Sequence, residues 1–132
     1  MTNKIVIIDD DSTTVKLLEL ILTRSGFTVF SARDGEAGYE LVEREKPDIV
    51  ITDFLLPKMD GAEVGKRVKE NPALDRTKVI IMTAVYKGAR GRDVLSSSLA
   101  DEYLEKPVET SSLLKKVYKL CQELAEAEEN AA

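Results

Sequence analysis

Lys4-Ile5-Val6-Ile7-Ile8-Asp9-Asp10-Asp11-Ser12 (KIVIIDDDS) couples a short β-branched run to three consecutive acids. Apolar residues at successive positions predict a strand buried on both faces. The same signature recurs at Asp48–Thr52 (DIVIT) and at Val79–Thr83 (VIIMT). Helical patterns lie between these runs. Thr13–Ser25 places Val15, Leu18, Ile21 and Leu22 on one face, with Gly26 where a helix stops. Phe27–Ala32 (FTVFSA) reads as a strand. Asp34 is expected to cap a helix through Glu45, with Ala37, Leu41 and Val42 on one side, and Pro47 ends it.

Further along, Asp53–Gly61 (DFLLPKMDG) reads as a loop, Ala62–Glu70 as a short helix and Asn71-Pro72 as a turn. A fourth helix is expected over Arg92–Leu99, although its approach is rich in glycine. Glu102–Glu105 is a brief fifth strand. Thr110 is expected to cap a fifth helix with Leu113, Leu114, Val117, Leu120, Cys121 and Leu124 inward. The order is β-α repeated five times. Right-handed crossovers then give an α/β fold, a parallel sheet with helices on both faces. One domain over residues 1–124 is expected, with 125–132 (AEAEENAA) a frayed helix end or the start of a linker.

The chain has 132 residues, 43% hydrophobic and 33% charged, the composition of an ordinary globular domain. No apolar run is long enough to span a bilayer, and no signal peptide is visible, so no membrane insertion is expected. Histidine is absent, which excludes a Ser-His-Asp triad, a histidine zinc site and imidazole acid/base chemistry. A single cysteine, Cys121, excludes a thiolate zinc site and an internal disulfide, and fits a cytoplasmic setting. Any metal must be held by oxygen, which points to Mg²⁺, Mn²⁺ or Ca²⁺. A net charge of −5 argues against direct nucleic-acid binding.

Polar groups collect where the strands end. Asp9, Asp10 and Asp11 follow the first, Asp53 the third, Thr83 ends the fourth, and Lys106 follows the fifth. Taken singly, each has an ordinary reading. The three acids suit a helix N-terminus, Asp53 a turn, Thr83 a strand end and Lys106 a solvated cation. Their convergence on one edge of a parallel sheet, where ligands bind in such folds, favours a site. Like charges ~4 Å apart repel by ~4 kcal/mol at an effective dielectric of about 20, so the cluster needs a divalent cation or Lys106.

The set IIDDDS, ITDFLLPKMDG, IIMTA and YLEKP resembles the receiver domain of two-component response regulators, over about residues 4–124. The resemblance implies a flavodoxin-like sheet in the order 2-1-3-4-5. It implies that Asp53 accepts a phosphoryl group from a phosphohistidine on a sensor histidine kinase or a histidine phosphotransfer protein. Asp10, Asp53 and the carbonyl of Leu55 would bind Mg²⁺ (or Mn²⁺) directly, and Asp9 through a water. Lys106 and Thr83 would contact the phosphoryl oxygens, with Thr83 and Tyr103 as the switch pair and the Lys106-Pro107 bond cis. The protein would then be no enzyme in the usual sense, but a cytoplasmic phosphoacceptor, active only in its own phosphorylation and dephosphorylation. Its downstream protein target would use the face of helix 4, strand 5 and helix 5, and a homodimer on phosphorylation is compatible with the family.

Leu55 and Val85 stand two residues after Asp53 and Thr83, where the family orients the hydrolytic water. Both are apolar, which implies a long-lived acyl phosphate. The family's usual Gly-Ala before the switch aromatic is here Leu99-Ala100. Lys87–Arg92, with two glycines, is expected to be mobile without phosphate and to change order with it. Two alternatives stay open. One is a receiver-like interaction module that never uses phosphate. The other is a Mg²⁺-dependent phosphohydrolase with an Asp nucleophile, for which no cap insertion is present.

Overall fold

Alternate residues of the apolar strands go to opposite faces of one sheet. Ile5, Ile7, Ile49, Ile51, Ile80 and Met82 join one buried cluster, while Val6, Ile8, Val50, Val79 and Ile81 join another. This period of two explains why strands with no polar positions are stable here: both faces are covered. A computed structural model describes residues 3–84 and 99–131. Its elements are β1 (Lys4–Ile8), α1 (Ser12–Arg24), β2 (Thr28–Ala32), α2 (Gly35–Glu45), β3 (Ile49–Asp53) and α3 (Gly61–Glu70). A 3-10 turn (Pro72–Leu74), β4 (Lys78–Thr83), β5 (Glu102–Glu105) and α4 (Thr110–Ala131) follow.

All pairings are parallel and the strand order is β2-β1-β3-β4-β5. The expected sheet, order and two-sided helical cover are therefore present. Val15, Leu18 and Leu22 of α1 and Leu113, Val117 and Leu120 of α4 bury the first face. Leu41 and Val42 of α2 and Val64 and Val68 of α3 bury the second. Among the described residues, no helix is long and apolar enough to cross a membrane.

Several boundaries differ from the sequence reading, each for a local reason. Phe27 is not in β2; it is buried, and its N–H donates to the carbonyl of Leu22, closing the end of α1. Asp48 stands before β3, where its carboxylate accepts the N–H groups of Asn3 and Lys4. Helix α2, by contrast, runs from its Asp34 cap to Glu45 as expected, and the left-handed Lys46 (φ 46°) closes it ahead of Pro47. Thr110 is the first helical residue rather than the cap: the carbonyl of Glu109 already accepts from Leu113 N–H. Helix α4 runs on through most of 125–132, and Arg76 holds it there through the Leu124 carbonyl and Glu128. The expected fourth helix, the Lys87–Arg92 segment and Val85 lie outside the described residues.

Candidate functional site

The site grows out of strand parity. Asp9 continues the Ile5, Ile7 series, Asp53 the Ile49, Ile51 series, and Lys106 the series of Leu104. Ile8 of β1 pairs with Thr52 of β3, so Asp9 and Asp53 emerge side by side. Asp9 is fully buried, Asp53 partly, and Asp10 is exposed. One carboxylate oxygen from each of the three lies within 4.8 Å of the others.

Lys106 enters this cluster from the end of β5. Its Nζ donates to Asp9 Oδ2 at 2.8 Å and stands 3.2 Å from Asp53 Oδ1. Its backbone N–H donates to the Thr83 carbonyl at 2.7 Å, which ties it to the end of β4. The Lys106-Pro107 bond is cis. Burial alone lowers the Lys106 pKa, but the bond to Asp9 and the charges of Asp53 and Asp9 outweigh it and hold the pKa above its ordinary value. The Asp53 pKa is pushed up by burial and by the Asp9 charge, against the opposing pull of Lys106 and a bond from Phe54 N–H.

The third acid of the run has another task. Asp11 caps α1, accepting from Thr13 N–H and the Thr14 hydroxyl, and these bonds lower its pKa. The capping reading of Asp9–Asp11 thus falls on Asp11, while Asp9 and Asp10 cluster with Asp53. Three carboxylates facing one ammonium keep two negative charges in excess at this edge. An all-oxygen set of that charge fits a hard divalent cation such as Mg²⁺, which needs few protein ligands because it keeps waters.

Thr83 is buried at the end of β4, and Tyr103 on β5 packs against the second core face. The two share the lining of a cleft of about 530 Å³ with Lys106, Glu109 and Lys116. Lys116 bonds the Tyr103 carbonyl and Glu102, and Lys119 pairs with Glu102 as well, which fixes β5 to α4. Leu55 lies in the loop after Asp53 and is 74% exposed.

That loop is held more tightly than its composition suggests. A Cβ at Gly61 would stand 2.1 Å from the Asp53 carbonyl oxygen, and one at Gly35 would stand 1.8 Å from that of Met59. Gly35 went unmarked in the sequence. Its signal is a repeated Asp-Gly pair: Asp34-Gly35 and Asp60-Gly61 each open a helix, with the Asp as N-cap.

Comparison with known proteins agrees with this arrangement. The model of the family "Response regulator receiver domain" matches residues 5–118. The alkaline phosphatase synthesis transcriptional regulatory protein PhoP of Bacillus subtilis (strain 168) is 39% identical over 108 residues, 81% of this chain. The match covers 43% of that protein, so this chain spans less than half the length of its curated relative. A CheY-like response regulator receiver domain protein from Methanospirillum hungatei JF-1 superposes with a TM-score of 0.86 at 26% identity, covering 96% of this chain and 99% of that one. The signal receiver domain of a signal transduction histidine kinase from Syntrophus aciditrophicus gives 0.86 at 26%, covering 92% of both. A parallel sheet in this order, an acidic cluster at its carboxyl edge and a family match over most of the length lead to one conclusion: the chain belongs to the receiver domain family of two-component response regulators.

Proposed function

We propose that this domain is a phosphoacceptor that takes a phosphoryl group on Asp53 and passes the change to partner proteins. The observation that carries the reading is Lys106 inserted between Asp9 and Asp53, with Asp10 completing the oxygen cluster. These 132 residues hold no histidine, so the donor nitrogen lies outside them, on a sensor histidine kinase or a histidine phosphotransfer protein. A cytoplasmic setting fits that partnership.

In the proposed reaction an Asp53 carboxylate oxygen attacks phosphorus. The bond from phosphorus to the donor imidazole nitrogen breaks, and an acyl phosphate remains on Asp53. Burial and the Asp9 charge raise the Asp53 pKa, and the Lys106 ammonium beside it opposes them by favouring the carboxylate. A Mg²⁺ ion held by Asp10, Asp53 and the Leu55 carbonyl, with Asp9 acting through water, would supply positive charge to the phosphoryl oxygens. Lys106 would give up its bond to Asp53 and donate to a phosphoryl oxygen, and the Thr83 hydroxyl would donate to another. Movement of Thr83 and Tyr103 would then alter the surface around β5 and α4, where a downstream target or a second copy would dock.

Incubation with acetyl phosphate and Mg²⁺ tests the reading. One phosphoryl adduct is expected by intact-mass measurement, and Asp53→Asn should abolish it. An adduct of equal extent on the variant would overturn the assignment.

A further inference from the structure

We infer that Gly35, at the start of α2, is a positioning residue for the cation site, because it sets where the loop after Asp53 can lie. The inference rests on the phosphoacceptor reading above and concerns how the Leu55 carbonyl is placed. Leu55 sits in a short span pinned at both ends. On one side, Phe54 N–H donates to the Met82 carbonyl, and the Phe54 carbonyl accepts from Gly61 N–H at 2.8 Å. On the other, the Pro57 carbonyl accepts from Gly35 N–H at 3.2 Å and from Met59 N–H at 2.8 Å. Lys58, left-handed at φ 69°, pairs with Asp34 at 3.8 Å.

The far anchor is therefore the first turn of α2, and its fit depends on a missing side chain. A Cβ on Gly35 would stand 1.8 Å from the Met59 carbonyl oxygen, 2.6 Å from its carbon and 2.7 Å from the Met59 Cβ. Two of these contacts are backbone, so no rotamer change relieves them. The loop must move away from α2 as a unit, and Leu55, two residues from Pro57, moves with it. A carbonyl ligand to Mg²⁺ tolerates little displacement, because that ion demands near-octahedral geometry. Gly35 itself touches no ligand; it acts through the loop.

Calorimetric titration of the intact chain with Mg²⁺ alone, beside thermal melts, is the test. Gly35→Ala should bind Mg²⁺ at least tenfold more weakly than wild type at a temperature where both are folded. Val42→Ala, a buried change on the same helix that faces the core, should lower the melting temperature and leave Mg²⁺ affinity within twofold. Equal affinity in Gly35→Ala and wild type would overturn the role of Gly35. So would an equal loss in Val42→Ala, since instability would then explain both. Should Gly35→Ala fail to fold, Asp34→Ala unties Lys58 and the first turn of α2 without adding bulk. It should cost threefold or more in affinity, and unchanged affinity there would overturn the inference. A wild-type protein that takes up no Mg²⁺ would instead overturn the metal reading itself.

Discussion

The two edges of the sheet use aspartate in opposite ways. At the amino edge, Asp48 accepts the N–H groups of Asn3 and Lys4, and Asp101 accepts Val79 N–H at 2.8 Å while pairing with Lys69 at 2.6 Å. Each acid there completes the backbone of a strand start, and Asp101 also has Lys69 beside it. At the carboxyl edge, Asp9, Asp10 and Asp53 crowd one another, and Lys106 pairs with Asp9 and Asp53. Acids at both edges accept backbone N–H groups, Asp53 from Phe54 and Asp9 from Asp11 among them, but only at the carboxyl edge are the close neighbours other acids, which keeps charge ready for a ligand.

Substitutions at the two edges should therefore behave oppositely. Asp10→Asn should weaken Mg²⁺ binding tenfold or more in calorimetry, yet leave the metal-free melting temperature unchanged or higher. A large metal-free loss would return Asp10 to the class of Asp48. Asp101→Ala should do the reverse. It orphans the Val79 N–H and leaves Lys69 only its bond to the Thr77 carbonyl, a cost of about 1–3 kcal/mol seen as a lower melting temperature, with Mg²⁺ affinity unchanged. A smaller effect is expected in the lifetime of the acyl phosphate. Leu55→Asn with Val85→Glu should speed its hydrolysis several-fold in a phosphate-release assay, if these two positions govern the hydrolytic water as the family resemblance implies. Equal or slower release would count against that reading.

The smallest effect is one of pH. The Asp53 pKa is raised above its ordinary 3.8, so the neutral form is the one favoured by folding. Its contribution to stability is present below that value and lost as pH rises through the folded pKa. Without metal, Asp53→Asn should melt a few degrees above wild type near neutrality, and the gap should close on acidification towards 3.8. A gap that widened in acid would mean that Lys106 outweighs burial.

The strands and most site residues were legible in the sequence because both depend on local pattern. Ile5–Ile8, Ile49–Ile51 and Val79–Met82 announce two-sided burial, and the polar residue closing each run marks the strand end. Boundaries slipped where a side chain or backbone bond reached outside its own segment, as with Phe27 to Leu22, or Asp48 to Asn3 and Lys4. The loop restraints were illegible for a stronger reason. The contact of Gly35 with Met59 joins two elements that no periodicity relates, and it exists only after α2 and the β3–α3 loop have packed. The left-handed Leu99 (φ 62°) adopts the conformation of the glycine usual there, so its backbone follows the turn rather than its residue type.

The pairing of Ile8 with Thr52 has a consequence beyond the site it creates. Asp9 and Asp53 lie 44 positions apart in the chain, and only this alignment makes them neighbours. A slip of β1 against β3 by a single residue would turn one acid to the opposite face, because side chains alternate at every position. On the proposed metal reading, Mg²⁺ uptake would be a readout of strand alignment. A misfolded chain with the same elements and the same helix content would be invisible to circular dichroism, yet it would be exposed by failing to bind an ion that the native alignment binds.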